Sequence, residues 1–519
     1  MAIPIAVAFA LLILFLTLSF LTYRQTPSLP LPPGPSGKPI VGNISDLPPA
    51  NTPEWEHWLK HKERYGPITS ITILGQPIII LHDANIATEL FEKRSLKYSS
   101  RPRLVFAGEM IGWNGTIAMQ PYGGRFRAYR KALHQVLGTK TLVSKFNSLQ
   151  ELEARRLLRR IVDDPDNWVQ HLRTYISPIF LVYLFGSHVE SEHELMEYYD
   201  REAGAIILKI GYGYDINPHG RDELVDLADD SMETFSAVLN KTWLVDMVPV
   251  LKYLPSWLPF SFHRKSQFWR TQLLTTIETP YQIVKEQMAS GVAPPSYTSN
   301  LLQEMKNTKK EEEEKSLTEE EEITAKWTAG SLYLAGADTH KAQQELDTVL
   351  GPHTLPKSSD RDQLPYVNAI VKESFRWHPV APMGLAHLCT EGDVFEGYAI
   401  PKGAVVMGNV WAMTHDPTIY PHPEVFDPER FLGENPQPDP SAWVFGFGRR
   451  VCPGRVLADA SVFVTIGMML SAMKISLEKG GEGKEVRFTP GVVSHSVLDG
   501  VKVEARSRKH EGIIREVSV

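Results

Sequence analysis

Phe445–Arg455 reads FGFGRRVCPGR and carries Cys452, one of only two cysteines in the 519-residue chain. Gly446, Gly448 and Gly454 flank the cysteine and can adopt backbone angles that other residues avoid, so the chain can turn tightly and lie close to a flat ligand. Arg449, Arg450 and Arg455 put positive charge around the thiol, which is expected to favour the thiolate. From Val456 to Met473 the residues turn apolar at helical spacing, with Gly467 the only break. Cys452 is therefore expected in a loop that faces the N-terminal amides and positive dipole end of that helix. A thiolate held this way suits a single strong bond to iron.

Composition narrows the alternatives. Lys plus Arg total 54 against 61 Asp plus Glu, a net charge of −7, which argues against nucleic acid as an electrostatic partner. Cys389 and Cys452 form no CxxC pair and no disulfide framework, so zinc is disfavoured and the usage fits a reducing compartment. Cys389 is read as a small buried filler.

Ala2–Thr22 holds no charge and is long enough to cross a bilayer of about 30 Å. Arg24 and Lys38 follow it, which places the body of the protein in the cytosol by the positive-inside tendency. Residues 1–24 are read as an uncleaved anchor, with single-pass membrane localisation at the endoplasmic reticulum. Residues 25–43 contain LPLPPGPSGKP and read as a stiff proline-rich hinge or a disordered linker. The body is assigned to residues 44–506 and a polar tail to 507–519.

Glu54–Tyr65 has helical spacing, and Ile68–Thr72 and Pro77–Leu81 are strand-like runs around Gly75-Gln76. Asp83 caps a helix running to Arg94. Leu142–Leu184 and Ser191–Ile216 are mainly helical. Trp243–Phe262 is apolar enough to touch a membrane or to fill a core. Lys309–Glu322 is a solvated charge run that ends in a capping box, Thr318 and Glu321, for a helix over Ile323–Thr339. Gly336 inside that helix costs about 1 kcal/mol relative to alanine, so it needs a reason. Leu364–His378 is a helix on which Glu373 and Arg376 share a face. Val394–Ile400 and Ala404–Val410 read as strands of one small sheet, and Val486–Val503 as a closing hairpin. The fold class is mainly α with a small β region.

The pattern Phe445-x-x-Gly448-x-Arg450-x-Cys452-x-Gly454 resembles the haem-binding loop of the cytochrome P-450 superfamily, whose thiolate ligand is known to push electron density onto haem iron. Three further features resemble the same family: Glu373 and Arg376 with Arg430 of FDPERF, the AGADT stretch Ala335–Thr339, and Phe126 with Arg130 in YGGRFRAYRKALHQ. The resemblance implies Cys452 as axial ligand of haem b, and Glu373, Arg376 and Arg430 as a structural triad that locks the cysteine loop. It implies Gly336 opening a groove beside the iron, with Asp338 and Thr339 relaying protons. Arg130, Arg450 and His387 would hold the haem propionates, with Phe126 where the family usually has tryptophan. Val380–Ala386 and Val492–His495 would border the pocket.

The implied reaction inserts one oxygen atom of O2 into a small apolar organic substrate. NADPH would supply electrons indirectly, through a flavoprotein reductase docking near Arg449 and Arg455. The overall pattern is similar to fungal members of secondary metabolism. One departure stands out: after Thr339 the chain passes directly into Lys341–Asp347, so a block that relatives carry is missing. The other readings are an oxygen-independent haem-thiolate isomerase or dehydratase, and a membrane-anchored haem protein inactivated by the missing block.

Overall fold

The computed structural model describes residues 29–49, 52–165, 208–209, 211–214, 223–239, 243–254, 261–307, 342–477, 487–494, 496–497 and 501–516. The N-terminal span, the acidic run, and Gly336, Asp338 and Thr339 lie outside them.

The fold is mostly helical and is built around Arg455–Ala472, the helix that follows the cysteine loop. This helix is long and apolar enough to cross a membrane, yet 67% of it is buried in the protein. A helix apolar on all sides belongs in a core. Leu457, Val462, Ile466 and Leu470 pack against Leu157 and Ile161 of the Asn147–Asp163 helix and against Val367, Val371 and Phe375 of the Pro365–Trp377 helix. Pro365 opens that last helix, where its missing N–H costs nothing.

A four-stranded sheet closes one side. Ile68–Ile73 pairs antiparallel with Gln76–Leu81, which pairs parallel with Val405–Gly408, which pairs antiparallel with His387–Leu388. The turn of the first hairpin is Leu74-Gly75 rather than Gly75-Gln76. Both residues have positive φ, 46° and 84°, a pairing that matches the twist of a two-residue hairpin. Asp83 caps its helix as expected, accepting from the amides of Asn85 and Ile86, but α geometry gives way to a wider π turn over Glu89–Lys93.

Three sequence expectations are corrected. The 394–410 strands do not share a sheet: Asp393–Phe395 and Tyr398–Ile400 form a separate hairpin, while Val405–Gly408 joins the main sheet. The closing hairpin is short, Arg487–Phe488 against Ser496–Val497, because Val501–Ala505 pairs instead with Met473–Leu477. The stretch from Ser507 is not a loose tail. Ser507 caps a helix over Arg508–Arg515 whose His510 and Ile514 are buried, with His510 Nε2 2.6 Å from the Pro352 carbonyl.

Trp243–Phe262 is partly described. It forms a short helix, Leu244–Met247, and a 3₁₀ turn, Pro249–Tyr253, with Leu244, Val250 and Tyr253 exposed and Val245 buried.

Candidate active site

The cysteine loop is fixed by its own backbone and by what it presses on. The Cys452 amide donates to the Phe445 carbonyl at 2.7 Å, closing the turn. Gly448 has φ 49°, and a Cβ there would lie 2.6 Å from the Phe91 carbonyl, so only glycine lets the loop approach the 89–93 turn. Phe445 meets Phe375 edge-on at 5.0 Å, which ties the loop to the Pro365–Trp377 helix.

Cys452 is exposed as a residue, while protein crowds the surroundings of its thiol. The balance of forces on it differs from the sequence expectation. Burial pushes the thiol above its ordinary value and outweighs the amides of Gly454 and Arg455 and the charges of Arg130 and Arg455, which pull it down. The arginines acting on the sulfur are thus Arg130 and Arg455; Arg449 and Arg450 point elsewhere. Arg449 donates to Ser95 Oγ at 3.1 Å and to the Tyr122 hydroxyl at 2.7 Å. The amides of the helix start still face the sulfur. They would stabilise a thiolate once a metal ion takes the proton's place.

Behind the loop lies a fully buried ion cluster. Arg376 grips Glu373 with two bonds, Nε to Oε2 at 2.6 Å and Nη2 to Oε1 at 2.8 Å, and both side chains are 0% exposed. Arg430 Nε reaches Glu373 Oε1 at 3.2 Å. The remaining guanidinium hydrogens go to carbonyls of the 414–425 stretch and to Gln437. Planar, bidentate pairing of this kind is geometrically specific.

A second group of cations, Arg101 and Arg450 buried and Arg130 half-buried, sits beside the loop. Arg450 lies 3.8 Å over the Phe126 ring and donates to the carbonyls of Ser99 at 2.6 Å and Gln120 at 2.6 Å. Phe126 therefore serves as a stacking platform where an indole would have offered an N–H. Arg130 donates to the Val451 carbonyl. Arg101, which sequence reading passes over, donates to the carbonyls of Ala118, Leu385 and Ala386 at 2.8–2.9 Å. His387 packs flat on Phe91 with ring centres 4.2 Å apart, and its Nδ1 lies 2.7 Å from the Tyr98 carbonyl.

Among the described residues no carboxylate pairs with Arg101, Arg130 or Arg450. Burial pushes the Arg101 guanidinium down to about 10. It pushes Arg450 down to about 8, with repulsion from Arg101 and Arg130 adding to it. His387 is held well below its ordinary value by burial and then by Arg101, so it is neutral. Buried cations without counter-charge are costly. A planar ligand carrying two carboxylates would relieve that cost, and the Cys452 sulfur would supply an atom to bind its metal. The residues present fit haem b.

Nothing in the local sequence marks Arg101. It stands two residues from Arg103, which is exposed and paired with Glu109. Only the fold tells the two apart.

Comparison with known proteins agrees with this geometry. The cytochrome P450 family model matches residues 32–340 and 339–503. The break between the two matches falls where the sequence reading places a missing block. Cytochrome P450 monooxygenase ppsD of Aspergillus oryzae is 42% identical, over 94% of this chain and 91% of its own. Cytochrome P450 monooxygenase claR of Ampulloclitocybe clavipes is 39% identical, over 98% and 92%. O-methylsterigmatocystin oxidoreductase of Aspergillus flavus is 37% identical, over 94% and 90%.

Proposed function

The chain belongs to the cytochrome P450 family, and we propose the residue roles, substrate class and cellular setting through which it works as a haem-thiolate monooxygenase. It carries haem b, takes electrons from a reductase, and uses O2 to oxidise an organic substrate in fungal secondary metabolism. When bound, the haem supplies the oxidising chemistry and the protein supplies the setting.

Cys452, its amide tied to the Phe445 carbonyl and its sulfur faced by the helix-start amides, would hold the haem iron. Arg101, Arg130 and Arg450 hold the two propionates, and neutral His387 packs beside them. Glu373, Arg376 and Arg430 keep the loop in place without touching the cofactor. Asp338 and Thr339 would move protons to oxygen, with Gly336 as the small residue that leaves room for it. The observation that carries this reading is two buried arginines, Arg101 and Arg450, with half-buried Arg130, and no acid paired with them among the described residues, beside an exposed cysteine that faces two amides.

The substrate is an apolar polyketide, terpenoid or aromatic. One relative is named O-methylsterigmatocystin oxidoreductase, and the family match covers residues 32–340 and 339–503. Residues 1–24 anchor the chain and 25–43 form a hinge; the catalytic body, 44–506, extends through the packed helix to about residue 516. The body faces the cytosol at the endoplasmic reticulum and meets lipid there. The partner is an NADPH-dependent flavoprotein reductase that docks on the exposed side near Arg449 and Arg455.

The test is the carbon monoxide difference spectrum of the reduced full-length protein. The wild type gives the thiolate-type Soret band, and Cys452→Ser loses both the band and NADPH- and O2-dependent turnover. A thiolate-type band in Cys452→Ser would refute the assignment. Turnover without O2 would favour an isomerase or dehydratase.

A further inference from the structure

Pro379 and Pro382 stiffen the run between His378 and His387. At its far end it builds the cationic cradle: the carbonyls of Leu385 and Ala386 receive Arg101 Nη1, and His387 follows directly. At its near end it is tied to the C-terminal stretch Thr489–Ser494. The Ser494 amide donates to the Val380 carbonyl at 2.9 Å, and His378 Nε2 lies 2.8 Å from Ser494 Oγ. A body seated over the cradle is bordered by this run, and the run is braced by the C-terminal stretch.

The brace depends on His378. Its ring is 0% exposed and stacks on Phe488 with centres 3.6 Å apart and planes 7° from parallel. Trp55 and Trp411 meet it edge-on at 5.7 and 5.3 Å. Packing on three sides leaves the ring no other pose. Ser494 is 1% exposed, and its hydroxyl proton is committed to the Thr489 carbonyl at 3.0 Å. Ser494 Oγ must then accept from His378, which fixes the imidazole proton on Nε2. A buried hydroxyl with both roles filled is directional in a way that apolar packing is not.

We propose that His378 and Ser494 are positioning residues: their buried hydrogen bond sets the distance between the 380–386 run and the 489–494 stretch, and so the width of the substrate site above the haem. This rests on the haem-thiolate reading. Neither side chain touches the cofactor. They act through Val380 and the residues after it, and changes here alter which ligands fit without altering how the iron is held.

The experiment titrates haem-loaded full-length protein with imidazole and with 4-phenylimidazole, followed by the optical change on binding. Imidazole is too short to meet the wall and the phenyl ring is not. In Ser494→Ala and in His378→Phe, which keeps the stacking, the ratio of the two dissociation constants shifts by about twofold to tenfold, the range of one buried hydrogen bond. The double variant shifts no further than the larger single, because both remove the same bond. Ser494→Thr restores the wild-type ratio.

A ratio unchanged in both single variants overturns the proposal, as do two effects that simply add. Equal weakening of both ligands also overturns it, since that marks a general structural defect. Should His378→Phe fail to fold, Ser494→Ala against Ser494→Thr decides the same point. A wild type without the thiolate-type carbon monoxide band would refute the haem reading itself. The band with unchanged ratios refutes only the positioning role.

Discussion

Two clusters of largely buried arginine lie near the cysteine loop, and they differ in one respect. Arg376 and Arg430 share the carboxylate of Glu373 at 2.6–3.2 Å. Arg101, Arg130 and Arg450 share only backbone carbonyls among the described residues. The first cluster holds its own acid, one carboxylate between two guanidinium groups, which fits the architectural role we propose for it. The second has no acid among the described residues, and the charge we propose for that place is that of a dicarboxylate. Buried arginine alone is ambiguous between structure and binding; whether the protein brings its own acid separates the two.

The sharpest way to break this contrast is Glu373→Gln. It strands two guanidinium groups that have no route to water, at a cost of about 3–5 kcal/mol. Urea unfolding of the haem-loaded protein should show that loss, with little folded protein recovered at all. Arg376→Lys keeps the charge but loses the two-point grip, and should fall between Glu373→Gln and the wild type. If Glu373→Gln costs no more than neutralising Arg101, the acid is not what divides the clusters.

The converse variant is Arg101→Gln, which keeps a donor for the Leu385 and Ala386 carbonyls but removes the cation. A hydrogen bond to a charged group contributes about 1.5–3 kcal/mol, so haem should leave the variant at least about tenfold faster. Transfer of haem to excess apomyoglobin measures that rate. Unfolding of the haem-free variant should change far less than in Glu373→Gln, because the buried charge removed was unpaired. Unaltered haem release would take Arg101 out of the cradle.

Legibility in the sequence follows the same divide. The cysteine loop and the Glu373–Arg376–Arg430 cluster stand out because close approach demands glycine and because a bidentate pair on one helix needs a fixed spacing. Arg101 does not stand out, since burial is set by chain segments hundreds of residues away, Leu385 and Ala386 among them. The sign of the effect on the Cys452 thiol escapes the sequence for a related reason: charge can be counted along a chain, but desolvation cannot. The Arg508–Arg515 helix reads as a tail because only His510 and Ile514 are buried, with Ile513 partly so, too few to lift a polar stretch above its surroundings. The Leu74-Gly75 turn reads one residue late because glycine alone marks it, while an apolar residue takes the other left-handed position.

The mildest test concerns Arg103, two residues beyond Arg101 and its opposite in every respect. Arg103 and Lys252 both pair with Glu109, joining the 103–111 stretch to the 249–253 turn at the surface. These bonds, Arg103 first, hold the Glu109 carboxyl down at about 2 against an ordinary value of 4.5. A depressed carboxyl stabilises the fold fully above its unfolded value, and that contribution fades as pH falls from about 4.5 through about 2. Water and salt screen so exposed a cluster, which limits its worth to under about 1 kcal/mol. Glu109→Gln should therefore shift the urea midpoint only slightly at neutral pH. It should flatten the acid limb of stability between about pH 4.5 and 2, and salt near 1 M should erase the difference from the wild type, since the screening length there is about 3 Å. A loss comparable to that of Glu373→Gln, or one that persists in high salt, would mean that exposure does not discount this cluster.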